Sequence, residues 1–207
     1  MPRTGRPREF DKTQAVRQAM RLFWARGYEA TSLSELKAAM GGLSTASFYA
    51  AFGSKDALFK TVVAHYRETH GRVTAPLRDP DLTPRAAIER ALRQSARMQT
   101  DPDHPQGCFI VLGAATSAAE NEPIRALLAA ERAETRAGFE SCARRAIAAG
   151  ELPPDADPAD LATLFSTFLF GISTQARDGV PIETLEAAIG RLMGIWDALA
   201  RTEPASP

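Results

Sequence analysis

The chain has 207 residues, 44% of them hydrophobic and 24% charged, with a formal net charge of zero, a composition that excludes a disordered polymer and leaves room for one medium domain or two small ones sharing a core. No apolar run reaches the roughly 18 residues of a membrane span, and the basic start "MPRTGRPREF" has no apolar segment behind it to make a secretion signal. Two cysteines, Cys108 and Cys142, make no disulfide framework and suit a reducing cytoplasm, where the protein is expected to work.

The charge is uneven along the chain. Residues 1–60 hold ten Lys and Arg against five Asp and Glu, a surplus of five positive charges that the remaining residues offset. A basic lobe joined to an acidic body points to a polyanion at one end; a chance distribution over solvated faces is the alternative.

Taken in order, nearly every segment reads as helix. Residues 1–9 form a basic arm with Arg3, Arg6 and Arg8, either a plain tail or an arm that enters a minor groove. Asp11 with Gln14 makes a capping pattern, and Ala15, Ala19, Leu22 and Phe23 follow at helical spacing until Gly27. Ser32 with Glu35 opens a second, short helix that buries Leu33, Leu36 and Met40 before Gly41-Gly42 stops it. A third runs from Ser44 to about Phe52, and Ser54 caps a longer one with Leu58, Phe59, Val62, Val63 and Tyr66 on one stripe.

Farther on the helices lengthen. Thr83-Pro84 starts one that reaches about Gln99. The loop "TDPDHPQG" leads to an apolar helix over about Cys108 to Ala119. Pro123 begins a long helix that Gly150 and "LPPDADP" end, and Asp157-Pro158 caps the next. The last spans about 182–200. The expectation is an all-α protein of about nine helices without strands, divided into the arm, a DNA-binding unit at 10–55, a larger unit at 56–201 and a tail at 202–207.

The stretch "GGLSTASFYAAFGSKDALF" carries the functional signal. Three short helices, the second and third joined by "MGGLS", make a helix-turn-helix arrangement, with glycine supplying a positive φ at the turn. A helix that enters a DNA major groove keeps bulk off its groove face while the other face anchors it. Leu43, Phe48 and Phe52 are placed to pack inward, and Ser44, Thr45, Ser47, Ala50 and Ala51 to offer small groups to base edges and phosphates. Tyr49 has a hydroxyl long enough for a phosphate, and Ser54-Lys55 opens the next helix with free N–H groups and a cation.

On these motifs the region 10–60 resembles the DNA-binding domain of TetR/AcrR-family regulators. The "RGYEATSL" turn, the "LSTASFYAAF" recognition helix and the "SKDAL" opening of the fourth helix carry the resemblance. It implies DNA-contacting roles for Thr31, Ser44, Thr45, Ser47, Tyr49 and Lys55, with Ala50 and Ala51 departing where many members place a larger polar or aromatic residue. It also implies a homodimer on a palindromic operator and a C-terminal domain whose small-molecule effector releases the DNA. The last two helices are the candidate dimer contact, through Phe165, Phe168, Leu169, Ile189, Met193 and Trp196. An effector cavity is expected within about 55–150, with Tyr66, Met98, Phe109, Leu112, Thr116, Phe139 and Phe170 either lining it or filling the core. Their character points to a moderately hydrophobic small molecule.

Nothing signals catalysis: no nucleophile elbow, no phosphate-binding glycine loop, and His65, His70 and His104 too scattered for a triad. His104 and Cys108 stand four apart, a spacing open to a soft metal but without a third ligand nearby, so no metal or cofactor is expected. Cys108 starts a helix, which favours a reactive thiolate and hence a redox sensor; a buried structural cysteine is the alternative. The function expected is therefore a ligand-released DNA-binding repressor. The alternative is a helical binding protein whose N-terminal module has lost DNA affinity.

Overall fold

The structure is a computed structural model that describes residues 11–115 and 121–201. The basic arm, the tail and Thr116 lie outside the described residues. Within them the chain forms nine α-helices and one 3-10 helix, with no strand: α1 (Lys12–Arg26), α2 (Leu33–Ala39), α3 (Thr45–Phe52), α4 (Lys55–Glu68), the 3-10 helix (His70–Arg78), α5 (Pro84–Thr100), α6 (Phe109–Ala115), α7 (Glu122–Ala148), α8 (Pro158–Arg177) and α9 (Ile182–Ala200).

The helix starts follow the local code. Asp11, Ser32, Ser44, Ser54, Thr83 and Asp157 each accept a backbone N–H of the first turn in their side-chain oxygen, each cap contributing about 1 kcal/mol. At Ser32 the box is reciprocal, because the Glu35 carboxylate returns to the Ser32 backbone N–H at 2.8 Å. Between α2 and α3 both Gly41 and Gly42 adopt positive φ, +89° and +78°, so the sharp turn takes two left-handed residues rather than one.

Two apolar cores divide the molecule. The first gathers α1 to α4 around Phe23, Trp24, Leu36, Phe48 and Phe59, and extends into Phe109 and Ile110 of α6 and Ile124 and Leu128 of α7. The second packs α5, α8 and α9 with the middle and end of α7, around Ile88, Leu92, Phe139, Phe165 and Trp196. The first core therefore runs on past residue 55, since α6 and the start of α7 bury side chains against α1 to α4. At about 1.5–3 kcal/mol for each large side chain, that shared packing ties the two lobes together.

One glycine fixes the seam. Gly107 has φ +81°, and a Cβ there would stand 2.5 Å from Leu112 Cδ1 and 2.8 Å from the Ser173 carbonyl oxygen. Loop 101–108 can pass between α6 and α8 only because that side chain is absent. The 3-10 helix is the element that periodicity does not reveal. It carries Pro76 in its interior, which has no N–H for a regular α-helical ladder, and buries Leu77 against Gly138 of α7.

Candidate nucleic-acid interface and effector cavity

Helix α3 is anchored by one face. Phe48 and Phe52 are buried, whereas Ser44, Thr45, Ala46, Ser47 and Ala50 are exposed and Tyr49 is 50% exposed. Ser44 accepts from the Ser47 backbone N–H at 3.0 Å, and the two hydroxyls are 2.8 Å apart. Lys37 of α2 donates from Nζ to the Thr45 hydroxyl at 2.7 Å. This cation had no place among the sequence-based candidates, since a contact between positions eight residues apart exists only once the turn is folded. The result is a polar edge of hydroxyls with one ammonium behind it and no apolar bulk but Tyr49.

Lys55 begins α4 and sits with Nζ 4.2 Å from the centre of the Tyr28 ring, a cation–π contact. Burial lowers its pKa, while Asp56 and Glu29 act in the opposite direction. The Tyr28 hydroxyl in turn donates to the Asp56 carboxylate, so ring and cation are both held at the helix start. Thr31 stands apart from the other candidates. It is 0% exposed, and its hydroxyl donates to the Gly27 carbonyl oxygen at 2.7 Å. Its side chain secures the α1–α2 turn and leaves no hydroxyl for a phosphate.

Between the lobes lies a cavity of about 80 Å³. Tyr66, Met98 and Phe170, three of the sequence candidates, line it together with Cys108. Phe109 and Phe139 instead fill the two cores, and Leu112 faces a separate cleft beside Trp24 and Arg177. The cavity wall is more polar than the sequence reading anticipated, with Ser95, Gln99, Glu131 and Arg132 among its residues. These polar groups sit on the inward faces of α5 and α7, which only the packing of those helices brings together.

Cys108 is half-buried, and the Tyr66 hydroxyl donates to its Sγ at 3.3 Å. Burial pushes the thiol up, while Tyr66, the N–H groups of Val111 and Ile110, and Arg132 pull it down. Burial dominates, so the group is a neutral thiol at neutral pH, not the thiolate that a helix start alone would favour. His104 directs Nδ1 to the Pro105 carbonyl oxygen at 3.0 Å. No group of three or more potential metal ligands occurs among the described residues.

A trihelical unit that buries one face of its third helix and exposes a hydroxyl edge, seated on a helical body with a pocket beside it, defines a helix-turn-helix transcriptional regulator. The comparisons with known proteins agree. Residues 15–62 match the model of bacterial regulatory proteins of the tetR family, and residues 84–188 match the tetracyclin repressor-like C-terminal domain. The HTH-type transcriptional repressor ComR of Escherichia coli strain K12 is 31% identical over 198 residues, 95% of this chain and 94% of the relative. The E. coli repressor BdcR is 30% identical over 181 residues, 87% of this chain and 86% of that one. A cysteine mutant of the TetR-family regulator CifR, solved with a 26-base-pair operator DNA, is 43% identical with a TM-score of 0.84, covering 92% of this chain and 100% of that one. The chain belongs to the TetR family of transcriptional regulators, whose members are not enzymes. No helix among the described residues is long and apolar enough to cross a membrane.

Proposed function

We propose that the protein is a ligand-responsive repressor that binds a palindromic operator as a homodimer in the cytoplasm and is released when a small molecule occupies the cavity between its lobes. The observation that carries this is the hydroxyl edge of α3, seated on buried Phe48 and Phe52, together with the likeness to CifR, whose structure holds operator DNA. Ser44, Thr45 and Ser47 are assigned to the major groove, Tyr49 and Lys55 to phosphates, and Thr31 to support of the turn.

Two features support dimerisation through α8 and α9. Gly171 and Gly194 lie on outward faces with nothing within 4 Å of a Cβ built at either, although glycine inside a helix costs about 1 kcal/mol relative to alanine. Ile195, next to Gly194, is 43% exposed. A second copy packing its helices against this face accounts for both, and a twofold pair sets two recognition helices about one DNA turn apart.

The test is a fluorescence-anisotropy titration with DNA from upstream of the protein's own gene at several salt concentrations. Specific binding with a steep salt dependence is expected. Binding no tighter than to unrelated DNA would favour the reading of a helical binding protein that no longer recognises DNA.

A further inference from the structure

The cavity is lined by buried polar side chains. Gln99 is 1% exposed, and its Oε1 accepts the Ser173 hydroxyl at 2.7 Å. Its amide group also carries two N–H donors. Ser95, one turn earlier on α5 and likewise 1% exposed, carries a hydroxyl donor. Both line the cavity, so two buried donors on one helix face are turned toward the same space.

Charge on the opposite wall is unbalanced. Arg67 lies 3.2 Å from Glu131 and 3.3 Å from Glu134, and Arg78 lies 3.1 Å from Glu134. Those two guanidinium groups are matched by two carboxylates. Arg132 also lines the cavity, yet it meets no carboxylate among the described residues. Its one hydrogen bond there is a long one, from Nη1 to the Ile110 carbonyl oxygen at 3.5 Å. Partial burial and the neighbouring Arg136 both disfavour its charge, with Cys108 acting the other way, and an anion that accepts its N–H groups relieves such a cation.

We propose that the cavity takes a small monocarboxylate, its oxygens held by the Arg132 guanidinium, the Gln99 amide and the Ser95 hydroxyl, and its apolar body packed against Met98, Leu169 and Phe170. The size fits a short acid: about 80 Å³ is roughly half the ~150 Å³ engineered cavity that accommodates benzene. Binding is noncovalent, since the Cys108 thiol is neutral and already holds the Tyr66 hydroxyl. The proposal rests on the reading of this cavity as the effector site and names the class of effector.

The experiment uses the full chain with butanoate and its neutral counterpart butanamide, followed by thermal unfolding and calorimetry. Butanoate at tenfold its Kd is expected to raise the unfolding midpoint by about 3 °C, with butanamide binding at least tenfold more weakly. Arg132→Gln is expected to erase the preference for the acid, and Cys108→Ser to keep it. Ser95→Ala removes one donor without changing side-chain volume much, and is expected to weaken butanoate severalfold; it serves as the check should Arg132→Gln misfold. Equal binding of the two probes, an acid preference that survives both Arg132→Gln and Ser95→Ala, or no binding of either probe would overturn the assignment. Operator affinity of the unliganded protein, measured alongside, separates failure of this proposal from failure of the repressor reading.

Discussion

Trp24 of α1 and His104 of loop 101–108 stack nearly parallel, with ring centroids 4.5 Å apart and an interplanar angle of 20°. The indole Nε1–H donates to the Gly107 carbonyl oxygen of the same loop at 3.1 Å, and Arg21, one turn earlier, donates to the Asp103 carbonyl. The helix that supports the DNA-binding lobe is thus fastened to the loop leading into Cys108 and the cavity wall. Any ligand that displaces this loop acts directly on α1.

The same seam makes stability depend on pH. His70 meets the Trp24 ring edge-on at 5.1 Å and His104 at 4.8 Å, and stacks on Tyr66 at 5.9 Å. Burial lowers its pKa, helped by His104, His65 and Arg21 and opposed by Asp101. The unfolded chain therefore takes up this proton at higher pH than the folded one. Its contribution is fully present above about pH 6.5 and is lost as pH falls through the lowered folded-state value. Unfolding midpoints taken between pH 7.5 and 5.5 should drop by a few degrees more in the wild type than in His70→Gln. Parallel pH profiles would show that another group is responsible.

On DNA, Tyr49→Phe and Lys55→Ala are expected to weaken binding on all sequences, with Lys55→Ala lowering the salt slope by about one. Thr45→Ala is expected to change sequence preference instead. Because Lys37 holds the Thr45 hydroxyl at 2.7 Å, Lys37→Met should reproduce part of the Thr45→Ala phenotype. Anisotropy titrations over operator variants check all four, and unchanged affinity in the Tyr49→Phe/Lys55→Ala double variant would remove the phosphate assignment.

How much of this was legible in the sequence follows from the range of the interactions. Caps such as Ser32 with Glu35, and Ser44 with Ser47, act across three residues, so the helix starts and the recognition helix could be read directly. Thr31 was not legible, because its hydroxyl donates to the carbonyl of Gly27 behind it, and residue type does not tell a turn-securing hydroxyl from one that faces a phosphate. Phe109 and Phe139 have the same chemistry as Phe170, but only packing decides that the first two fill cores and the third lines a cavity. Ser95, Gln99 and Arg132 carry no local signal, since each gains its significance from a helix far away in sequence.

The apolar stripe of the last two helices illustrates the same limit. Phe165, Leu169, Ile189, Met193 and Trp196 are buried within the protomer, and only Phe168 among the expected contact residues is half-buried. Trp196, at 1% exposure, packs 6.1 Å from Phe165, so Trp196→Ala should destabilise the fold by about 3–5 kcal/mol rather than separate subunits. Ile195→Asp and Gly194→Phe are expected to leave the unfolding midpoint of the protomer almost unchanged and yield a monomer by light scattering. A dimer that survives both would place the contact elsewhere.

Cys108 stands at the cavity wall, linked to α4 through the Tyr66 hydroxyl, and Tyr66 packs edge-on to Trp24 at 5.2 Å. A change at the thiol reaches the DNA-binding lobe through these rings without touching DNA, so it can alter affinity only by favouring one dimer shape over another. The size of that effect is bounded by how differently the modified thiol fits the two shapes. Burial keeps the thiol protonated, which slows attack on peroxide or a mild electrophile. Brief treatment at neutral pH should therefore leave operator affinity unchanged in both wild type and Cys108→Ser. Raising the pH toward the thiol's own range should expose a loss in wild type alone, because the thiolate fraction grows. Equal loss in both proteins would dismiss Cys108 as a sensor, and rapid loss in wild type at neutral pH would mean that the cavity opens enough to ionise it.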